Sequence, residues 1–117
     1  MHEMGLVRHV VRTVERYAAE NNLSHVDGLV LEIGELSLVM PEYIKKIYPV
    51  VIEGTILEGS ELEMQIIPGM AECNECDEIF NVVENKGYCP NCRSFDKQIL
   101  TGKDFKIKEL HIKEDKE

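Results

Sequence analysis

The sequence predicts an α+β fold, a small domain of two helices and a three-stranded mixed sheet interrupted by a four-cysteine insertion. Three observations carry this reading. Apolar residues recur at helical spacing near the N-terminus and alternate in three later segments. All four cysteines fall between Met70 and Lys97, where apolar side chains are few and scattered. Alternation then resumes, so a last strand returns after the insertion. The organisation expected is one domain from residues 1–69 plus 98–117 and a second from 70–97.

The elements follow in order. From Met4 to Asn22, the residues Leu6, Val7, Val10, Val11, Val14, Tyr17 and Ala18 recur every three or four positions and cover one helix face. Arg8, Arg12 and Arg16 line another face. They are expected to pair with the chain's own carboxylates, docking of an acidic partner being the alternative. Asn21-Asn22 stops the helix. In His25–Leu36, Leu29, Leu31 and Ile33 alternate against Val30 and Glu32, a strand with Gly34 at its end. Pro41 suits the first turn of a second helix through Ile44, Ile47 and Tyr48. Pro49 kinks or tightens that helix, and Gly54 ends the element. After Gly59-Ser60, residues Glu61–Ile66 alternate strictly and read as a strand. Composition changes at Pro68-Gly69, and the stretch that follows cannot bury a core of its own. Beyond it, Phe105 and Ile107 alternate, the register shifts near Glu109, and Leu110 and Ile112 continue one strand with a bulge. The terminal Lys-Glu-Asp-Lys-Glu is a solvated tail.

The insertion carries the strongest motif. Cys73-x-x-Cys76 and Cys89-Pro-Asn-Cys92 are two equal knuckles. Each turn presents two sulfurs on one side, and two facing turns make a tetrahedral cage that suits Zn²⁺. Four protein ligands leave no open position, so such a zinc is structural. Its capture contributes about 10–16 kcal/mol near neutral pH, ample to hold a short stretch with no core. A rubredoxin-like iron site would want better aromatic packing. A redox dithiol would want one knuckle at a helix start. A nucleic-acid ribbon would want cations, whereas Glu72, Glu75, Asp77, Glu78 and Glu84 outnumber Lys86, Arg93 and Lys97.

His2 is the second feature. The Met1 amine, the His2 amide and the His2 imidazole can close a five- and a six-membered chelate ring, and Glu3 adds an amide and a carboxylate. Planar nitrogen donors are what Ni²⁺ and Cu²⁺ prefer. A His at this position is more often a solvated terminal residue than a ligand, and the residues alone favour that plainer reading. His9 is expected packed or half-exposed on the first helix beside its apolar face, His25 in a turn or cap, and His111 on the solvent face of the last strand.

Composition excludes several classes. The 117 residues carry 13 basic and 22 acidic side chains, a formal net charge of −9. That opposes sequence-independent binding to nucleic acid and to anionic membranes. No apolar run approaches the roughly 18 residues of a membrane span, and Met-His-Glu-Met-Gly is no signal peptide. A cytoplasmic location is expected, where such cysteines read as metal ligands rather than disulfides. The glycines of Gly54-Thr-Ile-Leu-Glu-Gly59-Ser60 lack a phosphate-loop lysine and precede a strand. No nucleophile motif is present, and the chain is not expected to be an enzyme.

Taken in order, the initial Met-His-Glu, the helix, Leu31-Glu-Ile-Gly-Glu-Leu-Ser37, Pro41-Glu42, Gly54-Thr55, Leu57-Glu-Gly59 and the paired knuckles resemble the hydrogenase nickel-incorporation metallochaperone family (HypA/HybF). The resemblance covers about residues 1 to 113. It implies a nickel-binding α+β domain with a zinc domain set apart. It also implies delivery of Ni²⁺ to the [NiFe]-hydrogenase large-subunit precursor with a partner GTPase, and service to urease in some bacteria. His2 matches the family's nickel ligand, with the Met1 amine and the amides of His2 and Glu3 as further donors. Cys73, Cys76, Cys89 and Cys92 match its zinc ligands. Residues 70 to 97 contain no His, so a nickel donor from that module, present in certain archaeal members, is missing here. The last strand is less acidic than the usual family ending. Monomer and homodimer are both compatible with the resemblance.

Overall fold

The computed structural model describes residues 3–113; Met1, His2 and the expected tail from Glu114 onward lie outside the described residues. The order is α1 (Glu3–Glu20), β1 (Gly28–Gly34), α2 (Pro41–Val51), β2 (Glu61–Ile67), β3 (Met70–Cys73), β4 (Ile79–Asn81), β5 (Lys97–Ile99) and β6 (Phe105–His111). The long strands form a sheet in the order β2-β1-β6, and the short ones a second sheet in the order β4-β3-β5. Asp27 N donates to His111 O and Gly34 N to Asp104 O, so β1 and β6 run antiparallel. Glu61 N donates to Asp27 O and Glu35 N to Ile67 O, so β1 and β2 run parallel. The sheet is mixed, with α2 on the crossover. The α+β architecture is as expected, with a second small sheet added.

The chain divides into two compact units, one comprising the chain up to Leu31, Met40–Met64 and the chain from Ile107 on, the other Glu32–Val39 with Gln65–Lys106. In the first, Val7, Val10, Val11, Val14 and Ala18 of α1 bury with Leu29 and Leu31 of β1, Ile44 and Tyr48 of α2, and Leu57. The one buried hydroxyl among these is satisfied, with Tyr48 Oη 2.6 Å from Ser60 Oγ. Pro41 opens α2 behind Met40, whose side chain offers no cap. Glu3 Oε2 supplies the acceptor instead, 3.2 Å from Met40 N, so a carboxylate from α1 does what a capping box does within one helix. Pro49 sits inside the last turns of α2, which continues to Val51.

The second unit explains much of the Leu31–Ser37 motif. A side chain at Gly34 would overlap the Gly102 carbonyl, so only glycine fits. Glu35 Oε1 accepts from Gly69 N at 2.9 Å and from Asn81 Nδ2 at 3.2 Å. Leu36 N donates to Gly102 O at 2.7 Å, and the Leu36 side chain leaves Gly69 no room for a Cβ.

Three expectations need correction. The cysteine stretch does bury a core, of Ala71, Cys73, Phe80 and Cys89 with Cys76, Val82 and Ile99 packed against it. Periodicity missed it because β3, β4 and β5 are too short to show alternation. The strict alternation of β2 breaks at Gln65, which is half-buried while Ile66 is exposed. Among the described residues, Arg8, Arg12 and Arg16 form no ion pair with the chain's own acids, whereas His25 pairs with Asp27, Lys106 with Glu32 and His111 with Glu109. In β6 partial burial passes from Phe105 and Ile107 to Leu110, the shift expected near Glu109.

Candidate metal centre

The two knuckles repeat one backbone pattern. In the first, Asp77 N donates to Cys73 O at 3.0 Å and Cys73 N to Glu78 O at 2.8 Å. In the second, Arg93 N donates to Cys89 O at 2.8 Å and Cys89 N to Ser94 O at 2.9 Å. The residue after each second cysteine is left-handed, Asp77 at φ 67° and Arg93 at φ 68°. That turn reverses the chain so tightly that both sulfurs of a knuckle face inward. Pairing across β3 sets the frame, with Ala71 opposite both Phe80 and Ile99 and Cys73 opposite Lys97. Asn74 joins the first knuckle to the chain before β5, its N bonding Asp96 O at 3.0 Å and its Nδ2 bonding Asp96 Oδ1 at 2.9 Å.

The result brings all four sulfurs within 4.8 Å of one another. Cys73 Sγ lies 3.6 Å from Cys92 Sγ, and Cys76 Sγ 3.6 Å from Cys89 Sγ. A tetrahedron with metal–sulfur bonds of about 2.3 Å has edges of about 3.8 Å, so the cage fits a tetrahedral ion. Donors point at the sulfurs as thiolates need: Glu75 N at 3.3 Å from Cys73 Sγ, Asn91 N at 3.4 Å and Cys92 N at 3.5 Å from Cys89 Sγ, and Asn91 Nδ2 at 3.3 Å from Cys76 Sγ. The Asn91 amide, then the Glu78 backbone, bring the Cys76 thiol down to about 7. At Cys92 the Ser94 backbone pulls downward, but desolvation and the hydrogen bonds of the other three thiols outweigh it and push that thiol up to about 12. None of the cysteines is in a disulfide. Among the described residues this is the one group of His, Cys, Asp or Glu that can hold a metal ion.

Asn91 is the residue that sequence reasoning missed. Its place between Cys89 and Cys92 was the available signal, since a side-chain amide inside one knuckle can reach a sulfur of the other. Of the expected nickel donors, Met1 and His2 lie outside the described residues. Glu3 opens α1, and its carboxyl is held below the usual carboxylate range first by the Met40 N–H and then by its own backbone N–H. Its amide nitrogen has no i−4 carbonyl to serve, as at any first helical residue. The other histidines are ordinary. His9 is exposed on α1 rather than packed or half-buried as expected, because it falls outside the stripe that α1 turns to the core, His25 Nε2 meets Asp27 Oδ2 at 3.2 Å, and His111 Nε2 meets Glu109 Oε1 at 2.9 Å.

Residues 1–112 match the family model described as "Hydrogenase/urease nickel incorporation, metallochaperone, hypA". A relative from Trichormus variabilis, named hydrogenase maturation factor HypA, is 39% identical over 114 residues, covering 97% of each chain. One of the same name from Dechloromonas aromatica is 40% identical over 112 residues, covering 96% of this chain and 99% of the relative. The solution structure of the Ni metallochaperone HypA from Helicobacter pylori superposes with a TM-score of 0.67 at 22% identity over 96% of this chain and 97% of that one, a likeness of fold. The chain belongs to the HypA family of hydrogenase/urease nickel-incorporation metallochaperones.

Proposed function

We propose that this chain is a nickel carrier that helps insert Ni²⁺ into the [NiFe]-hydrogenase large-subunit precursor, working with a partner GTPase in the cytoplasm. The observation that carries the reading is the family match, which runs through Met1, His2 and Glu3 to residue 112. The chain itself is not an enzyme in this reading. His2 binds the cargo through imidazole and amide, the Met1 amine closes the chelate, and the Glu3 amide completes a planar nitrogen set. The Glu3 carboxylate, already bonded to Met40 N, anchors the start of α1 instead of coordinating. Nickel belongs to residues 1–69 plus 98–117, and Zn²⁺ to residues 70–97.

Zinc, when bound by Cys73, Cys76, Cys89 and Cys92, supplies a closed structural cross-link. The chain's own residues arrange for it: Asp77 and Arg93 turn the knuckles inward, and Asn91 favours the Cys76 thiolate. Nickel leaves by ligand exchange at a chain end, the protons lost from the amides on binding being regained on transfer.

The test is calorimetric titration of Ni²⁺ into zinc-loaded, untagged protein, beside His2→Ala and a form with residues added before Met1. One Ni²⁺ per chain, lost in both variants, is the expected result. Equal binding by all three, or by none, rejects the terminal site and favours a zinc-ribbon adaptor with no nickel role.

A further inference from the structure

Arg8, Arg12 and Arg16 are the only Lys or Arg residues before Lys45. All three are exposed on α1, and among the described residues none is paired. Candidate partners are close in sequence: Glu15 follows Arg12 by three residues and Glu20 follows Arg16 by four. Arg placed before Glu is the weaker order on a helix, and these pairs do not form. Among the described residues, a chain of net charge −9 therefore leaves three guanidinium groups free on one face.

Beside that face lies a groove of about 340 Å³ between α1 and α2, lined by Met4, Val11, Val50 and Val51 and rimmed by Arg8 and Arg12. Its apolar lining is unusually open to water, with Val50 64% and Met4 42% exposed. Lys46, exposed one turn before Val50 on the same side of α2, adds a fourth cation.

We infer that the Arg8–Arg12–Arg16 face of α1 and the adjoining groove are a docking surface for an acidic amphipathic helix of a partner protein. Four residues of helix rise about 6 Å, so the stripe presents a guanidinium every ~6 Å, the spacing of carboxylates at i, i+4 and i+8 on a facing helix. Planar guanidinium forks match carboxylates bidentately, which lysines would not. The partner's apolar residues one turn apart enter the groove beside Met4 and Val50. The rest of the surface repels an acidic partner, so the field guides it to this face. The relation to cargo rests on the nickel-carrier reading, since Met4 is two residues from His2 in the sequence.

The test uses a stapled helical peptide with Glu at i, i+4 and i+8 and Leu at i+3 and i+7, a scrambled isomer, and a 20-bp DNA duplex, each titrated into zinc-loaded full-length protein by fluorescence anisotropy. The ordered peptide is expected to bind at least about tenfold tighter than the isomer, and the DNA not at all. Arg8→Glu/Arg12→Glu/Arg16→Glu is expected to lose about 30-fold, within the range of steering effects, and to bind the Lys counterpart of the peptide instead. Val50→Asp, with every arginine kept, is expected to weaken the ordered peptide alone. Equal binding of the isomer or of DNA, or indifference to charge reversal in a variant with native circular dichroism, overturns the inference. Nickel titration of the triple variant separates the two readings: unchanged stoichiometry beside lost peptide binding supports the docking face, and joint loss counts against it.

Discussion

At the residue scale, the thiols of the candidate centre differ by environment. Asn91 Nδ2, 3.3 Å from Cys76 Sγ, favours the charged form, whereas the thiols around Cys92 favour its neutral form. With Cys76 at about 7 and Cys92 at about 12, thiolate appears at Cys76 first as pH rises, and the thiolate is the nucleophile. In the folded centre Cys76 is therefore the readiest thiolate, and Asn91→Ala is expected to raise the fraction of zinc lost to a competing chelator near neutral pH. Chromogenic chelator titrations in which the native chain and Asn91→Ala release zinc alike would contradict this. The four-cysteine cluster was legible from spacing alone. Asn91 was not, because an amide is a donor to sulfur only once folding sets its distance.

At the scale of elements, glycine separates local from tertiary constraint. Gly5 lies in α1 with nothing within 4 Å of an added Cβ. Gly34 follows the buried face of β1, and Gly102 sits at φ 89° with its missing Cβ directed at Pro68 and Gly69 backbone. Gly5→Ala is expected to stabilise zinc-loaded protein by about 0.5–1 kcal/mol through helix propensity. Gly34→Ala and Gly102→Ala should each cost more than about 3 kcal/mol, combining overlap with backbone and, at Gly102, left-handed strain. Urea denaturation reads all three, and a benign Gly34→Ala would mean that the β1 end and Gly102 approach less closely. Helix α1 was readable because its apolar residues keep period for several repeats; β1 was readable as a strand, but the alternation expected there is absent, since Val30 is buried like Leu29 and Leu31. Sheet β4-β3-β5 was not, since its strands hold three or four residues each and its pairing is decided by the knuckles.

At the scale of the whole molecule, the two units rest on different sources of order. The first buries Val, Leu and Ile side chains from three kinds of element, each contributing about 1.5–3 kcal/mol. The buried core around β3 has Ala71 and Phe80 beside two of the four clustered cysteines, Cys73 and Cys89. Backbone ordering costs about 1–2 kcal/mol per residue, far more than two apolar side chains return over residues 70–99. A chelator strong enough to strip the centre should therefore release amides of β3–β5 to fast hydrogen exchange while α1 stays protected. Simultaneous loss of protection throughout the chain would show one cooperative core instead.

The two helices, the long strands, the four-cysteine cluster and the family follow from the amino-acid sequence, because these depend on periodicity, spacing and motif order along the chain. Folding in three dimensions sets the bonds from Glu35 to Gly69 and Asn81, gives the cysteine stretch its own sheet, and leaves the three arginines of α1 unpaired among the described residues. Those are distances between residues far apart in the chain, or, for the arginines, the geometry of one helix face. No one-dimensional pattern encodes them, because side-chain partners are chosen by the packed backbone.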